Sequence, residues 1–181
     1  QVFTSIPKWV CFASDEELKD SEALMEVADD LFGRNITQFS IFLENRVGKL
    51  LEIVKVLASV DTHILAITIN ESSEHAVVRL IVDRPMTARE TFKDLGFPLV
   101  ESSVIAVELS EELYSIPSIL RVLLQAEINV MYAYPLLVRS RRHPVIAFHV
   151  DNDDYAIEVL QEQGMYVLNQ DDISRGSDIT P

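Results

Sequence analysis

The sequence predicts an α+β fold made of two copies of one strand–helix–strand–strand–helix–strand unit. Two observations carry the prediction. After residue 35 the apolar pattern runs through period two and helical spacing in that order, twice. The apolar face of the first helix, Leu50, Ile53, Val54 and Leu57, then recurs 66 positions later as Ile116, Ile119, Leu120 and Leu123. Asp83 and Gly96 recur as Asp151 and Gly164, 68 positions later, which places two extra residues in the second copy's hairpin. An offset held through both halves marks a duplication.

The elements follow in order. Before the repeat, "SDEELKDSEALMEVADDLFG" predicts one acidic helix. Ser14 and Glu17 have capping-box spacing, Gly33 is a stop, and Leu18, Leu24, Met25, Ala28, Leu31 and Phe32 give one apolar face. This extension, residues 1–35, is expected to cover apolar surface or to serve oligomerisation. In "TQFSIFL" the residues Phe39, Ile41 and Leu43 alternate, as a strand requires. The first helix, the strands "THILAITIN" and "AVVRLIVD", the helix "MTARETFKDLG" and the strand "FPLV" complete a split βαβ, or ferredoxin-like, unit over residues 36–101. The second unit, residues 102–170, reads "SVIAVEL", "SIPSILRVLLQA", "NVMYAYPLLV", "PVIAFHV", "DDYAIEVLQEQG" and "MYVLN". The joint is "ESS" at Glu101–Ser103, and residues 171–181 read as a polar tail. Two units so closely joined are expected side by side, their helices covering one face of an antiparallel sheet. Val77, Val78, Leu80, Ile81 and Val82 make one strand apolar on both sides, so the second sheet face is expected to be covered as well.

Composition narrows the function. The chain has 181 residues, is 48% hydrophobic and carries 29 acids against 15 bases, a formal net charge of −14. Such a field repels phosphate backbones, so no nucleic-acid partner is expected. One cysteine, Cys11, excludes an internal disulfide and a multi-thiolate metal site. No apolar run reaches the roughly 18 residues of a membrane helix, and "KWVCFAS" is too short for a signal-peptide core. The expectation is a soluble, cytoplasmic protein that neither binds nor crosses a membrane.

Several functions use this topology, so the side chains must decide. Base stacking needs exposed aromatics on the central strands, yet Phe148 is the one aromatic in "AVVRLIVD" and "PVIAFHVD", and it shares its face with Ile146 and Val150. His63, His75, His143 and His149 lack metal-ligand spacing, and no nucleophile–base arrangement stands out. No cofactor and no catalysis are expected. The remaining chemical feature is the loop "ENRVGK", where Asn45, Arg46, Gly48 and Lys49 sit at the mouth of a helix and suit an anion.

Residues 36–168 resemble a tandem pair of ACT domains, small amino-acid-sensing regulatory modules. The resemblance is carried by "FLENRVGKLLEIVKVLASVDTHILAITI" and "VRLIVDRPMTARETFKDLGF". In the second copy it is carried by "VIAVELSEELYSIPSILRVLLQAEINVMYAYPLL" and "VIAFHVDNDDYAIEVLQEQGMYVL". The acid-Asn-x-x-Gly-x-Leu loop is its most specific part. The resemblance implies a regulatory, non-catalytic protein that binds a free amino acid or similar small carboxylate where two units meet. The implied contacts are Asn45, Arg46, Val47, Gly48, Lys49 and Leu50 in the loop and His63 and Ile64 opening strand two. Asn129, Val130 and Tyr132 of the second copy could wall the same pocket. A homodimer is expected, and a separate metabolic enzyme is a natural partner. The second copy carries Glu111 and Tyr114 where the first has Asn45 and Gly48, so one ligand per chain is expected. A plainer reading stands beside each residue. Gly48 suits a tight turn, Asn45 a cap, Arg46, Lys49 and His63 solvated loop positions, and Tyr132 packing. In that reading the protein is an association module without a ligand, and a small anion-handling enzyme is the third alternative.

Overall fold

The computed structural model describes residues 35–175, apart from 45, 72–74 and 111–114. The expected acidic helix of residues 14–33 and the tail beyond 175 lie outside the described residues, as do Asn45, Glu111 and Tyr114.

The first copy comprises β1 (Ile36–Glu44), α1 (Lys49–Ser59), β2 (Ile64–Glu71), β3 (His75–Val82) and α2 (Pro85–Asp94). A long strand β4 (Leu99–Glu108) leads into the second copy, α3 (Ile116–Gln125), β5 (Val130–Ser140), β6 (His143–Val150), α4 (Asp153–Glu162) and β7 (Val167–Leu168), and the described chain ends in α5 (Gln170–Arg175). The strands follow the order β2-β3-β1-β4-β6-β5, with β7 paired to β4. Every pairing is antiparallel.

The duplication is visible bond by bond. Phe42 N–H donates to Pro98 at 2.9 Å and Glu108 N–H donates to Tyr166 at 3.0 Å. His63 N–H reaches Asp83 at 2.7 Å and Asn129 N–H reaches Asp151 at 3.2 Å. Strand two slips register at the same place in both copies, between Ile64 and Ala66 and between Val130 and Tyr132. The two extra residues of copy two fall between Pro135 and Arg139, where β5 shifts register again. Proline lacks the N–H a regular ladder needs, and a bulge tolerates it.

The "ESS" segment is not a joint between two strands but the middle of β4. Each of its residues has a partner that holds it extended. Glu101 accepts from the Arg89 guanidinium at 2.7–2.9 Å, Ser102 accepts from Gln38 at 2.9 Å, and Ser103 donates to Asp153. The first half of β4 pairs with β1 and the second half with β6 and β7. One strand therefore belongs to both copies.

All four long helices cover one face of this sheet. Phe39, Ile41, Val78, Leu80 and Phe92 form the core under α1 and α2, where Phe92 meets Phe39 and Phe97 edge-on at 5.9 and 5.8 Å. Ile105, Val107, Ile119, Phe148 and Leu160 form the core under α3 and α4. The opposite faces of the two copies meet each other. Ile36, Ala66 and Ile81 of copy one join Tyr134, Leu136, Val145 and Ala147 of copy two in a single apolar cluster. The covering expected for the second sheet face is thus supplied by the other copy.

The start of the polar tail is helical. Ile173 of α5 is buried in that shared cluster. Asn169 and Asp172 cap the helix reciprocally at 2.9 and 3.1 Å. Gln170 accepts from Thr37 N–H and donates to the Val82 carbonyl, tying the end of copy two to copy one.

One polar side chain is sealed in the shared face. Gln38 is fully buried; its amide donates to Ser102 and to the Tyr132 hydroxyl at 2.8 Å and accepts from the Tyr134 hydroxyl at 2.6 Å. Burial, with Tyr132 beside it, pushes the Tyr134 phenol up despite the nearby Arg79 charge, so the hydroxyl keeps its proton and donates. Gln38→Leu keeps the volume but orphans that hydroxyl, and should cost about 1–3 kcal/mol in urea denaturation. Adding Tyr134→Phe should recover part of the loss; no recovery would show that the hydroxyl is not its source.

Candidate ligand site

The loop between β1 and α1 is built on its glycine. Gly48 adopts a left-handed conformation, φ 92°, which most side chains avoid. It stands at the helix N-cap without a side-chain cap, so it presents backbone amides at the positive end of the helix. Glu52 N–H returns to the Gly48 carbonyl at 3.0 Å and Lys49 N–H to that of Arg46 at 3.2 Å. The charged side chains of the loop have local partners: Arg46 pairs with Glu44 at 3.2 Å and Lys49 with Glu52 at 2.9 Å, all well exposed. Val47 is fully exposed and Leu50 packs on the helical core.

The structure gathers Arg46, Val47, Gly48, Lys49 and Leu50 into this loop and the first turn of α1 and puts the other expected residues elsewhere. The register pairs Glu44 with His75 and Ile64 with Val82, at opposite ends of β3. His63 and Ile64 therefore stand roughly 23 Å along the sheet from the loop of the same chain. His63 lies 2.8 Å from Asp83 through Nδ1, and Ile64 packs on the helical core. Asn129 and Val130 repeat that placement in copy two, Asn129 exposed and Val130 packed on the second helical core. Tyr132 turns into the junction, between the Arg79 guanidinium, 4.5 Å over its ring, and the His149 ring at 4.7 Å.

That junction was not anticipated. Gln38, Arg79 and His149 converge on Tyr132, Ser102 backs Gln38, and Arg79 Nε is buried without a hydrogen-bond partner among the described residues. The signal was a polar residue interrupting an apolar strand: Gln38 in "TQFSIFL" and Arg79 in "AVVRLIVD".

Residues 34–176 match the family model for an ACT domain pair, and the chain belongs to that family. Its structure resembles that of protein BT0572 from Bacteroides thetaiotaomicron, with 27% sequence identity and a TM-score of 0.71 over 78% of this chain and 97% of that one. It shares its fold with the ligand-free regulatory subunit of aspartate kinase from Thermus thermophilus, at 11% identity and a TM-score of 0.52, covering 73% of this chain and 91% of that one. No curated protein matches the sequence. No helix among the described residues is long and apolar enough to cross a membrane.

A Cβ added at Gly48 meets nothing within 4 Å, so a substitution there is opposed by backbone conformation alone. Gly48→Ala should lower stability by about 1–2 kcal/mol in urea denaturation and leave the circular-dichroism spectrum unchanged. A loss well above that range would mean that the loop packs against something its exposed surroundings do not show.

Proposed function

We propose that the protein is a non-catalytic regulatory module that binds a free amino acid, or a similar small carboxylate, on the loop from Asn45 to Leu50. The observation that carries this reading is the left-handed Gly48 at a helix N-terminus that takes no side-chain cap from the described residues. A carboxylate there meets backbone N–H groups with no Cβ in the way and the positive end of α1. Membership of the ACT pair family supports the reading. The Asn45 amide, donor and acceptor at once, reads the ligand's second polar group.

A second copy of the chain completes the site. In one chain His63 and Ile64 are too far from the loop to wall it, so the facing strand end comes from a homodimer partner. The dimer then reports its ligand to a separate metabolic enzyme.

Calorimetric titration with each of the common amino acids, on protein whose assembly is followed by light scattering, tests the proposal. One amino acid should bind the wild-type dimer. Gly48→Tyr, which gives loop one the residue found in loop two, should abolish binding, and Asn45→Ala should weaken it by about 1–3 kcal/mol. If no amino acid binds, or if Gly48→Tyr binds as the wild type does, the loop is not the site and an association module without a ligand becomes the better reading. A monomer with full affinity would remove the partner copy from the account.

A further inference from the structure

The two copies differ in chemistry at one pair of equivalent strand-end positions. Phe42 of copy one is a half-exposed phenylalanine, and its counterpart Glu108, bonded to the backbone in the same way, is a carboxylate only 5% exposed. Glu108 forms the floor of a cleft of about 330 Å³ that is also lined by Ser110, Arg141, His143, Gly164 and Tyr166. That volume is at the small end of the roughly 300–1,000 Å³ typical of small-molecule sites.

The cleft is organised for one kind of ligand. Both oxygens of Glu108 are engaged: Oε2 accepts from Arg141 Nε at 3.1 Å and Oε1 lies 2.9 Å from His143 Nδ1. Burial works to raise the Glu108 carboxyl, but hydrogen bonds from Ser140, His143 and Arg141 outweigh it and hold the group below the usual range, so it stays ionised as an anchor. The Arg141 guanidinium lies 3.9 Å above the Tyr166 ring, which fixes its plane. Among the described residues, neither Nη atom of Arg141 and no second nitrogen of His143 makes a hydrogen bond. What remains to meet a ligand is a guanidinium edge and the hydroxyls of Ser110 and Tyr166, all able to donate, and the imidazole Nε2, which donates when the ring is protonated.

The hairpin that carries these groups is itself unusual. Ser140 pairs with His143 across a two-residue turn, with φ 47° at Arg141 and 73° at Arg142. Turns with two positive φ values favour Asn and Gly, and bulky residues there are held at a cost. In a chain of net charge −14, residues 139–143 nevertheless place three arginines and a histidine on this tip.

We propose that the cleft between Glu108, Arg141, His143 and Tyr166 is a second ligand site, specific for the oxyanion, carboxylate or phosphate, of a small molecule. Arg141 presents its free edge to two oxygens of the anion, and His143, with its ring protonated, donates a third contact from Nε2. Glu108 does not touch the ligand; it positions the guanidinium and the imidazole from behind. The site is separate from the Arg46–Leu50 loop and does not depend on a ligand there.

The test is titration of the full chain with inorganic phosphate and, separately, with succinate, followed through the His143 ring signals in NMR. At least one anion should shift the His143 ring saturably while leaving His63, on the far side of copy one, unchanged. Phosphate alone or succinate alone identifies which oxyanion the site takes. Arg141→Gln should weaken the response at least about tenfold, Arg141→Lys, which keeps charge but loses the fork, should fall between, and Arg142→Gln should change it less than about twofold. Circular dichroism checks that each variant is folded. No saturable shift of His143 in the wild type with either anion would overturn the proposal, as would Arg142→Gln losing as much as Arg141→Gln.

Discussion

A single strand, β4, passes through both copies, and the rest of the architecture follows from it. Its odd-numbered residues face helices along its whole length: Leu99 and Glu101 under the first pair, Ser103, Ile105 and Val107 under the second. Its even-numbered residues Val104 and Ala106 then necessarily share the other face. Because no linker interrupts the alternation, neither copy can turn its sheet over relative to the other. The four long helices lie outside, and the two bare faces must be buried against each other.

That closure places a polar group where only apolar ones would otherwise be tolerated. A buried amide costs free energy unless its N–H groups and its carbonyl oxygen find partners. Gln38 meets the condition by drawing on β4 and β5 at once, and those bonds exist only when both copies are folded. Gln170 adds a second clasp between the copies by bonding the backbone of β1 and β3. Specific polar contacts thus fix the register of a junction that apolar packing alone would leave free to slide.

Much of this was legible in the sequence. Helical faces repeating at a fixed offset gave the duplication, the element order and even the location of the two-residue insertion, because helix and strand periods are local properties of the chain. What local periods cannot show is which strand ends fuse. Glu101, Ser102 and Ser103 read as a polar break, yet each is satisfied by a residue distant in sequence, Arg89, Gln38 and Asp153. The helix at Gln170–Arg175 escaped notice for a different reason: only Ile173 is buried in it, too little for a periodic signal, although the Asn169–Asp172 capping pair was present. The left-handed turn of the first loop was legible as a glycine at the mouth of a helix. The Glu108 cluster was not, since an isolated Glu at a strand end gives no hint that an arginine and a histidine more than thirty residues on will fold over it.

Two copies that share β4 and a sealed face should behave as one cooperative body. Native-state hydrogen exchange tests it most directly, by comparing core amides of copy one, such as Phe39 and Leu80, with those of copy two, such as Ile105 and Phe148. The shared strand and the Gln38 junction predict that both sets exchange only through global unfolding, with one free energy and one denaturant dependence. A set from either copy that opens at markedly lower free energy, while the other stays protected, would contradict it.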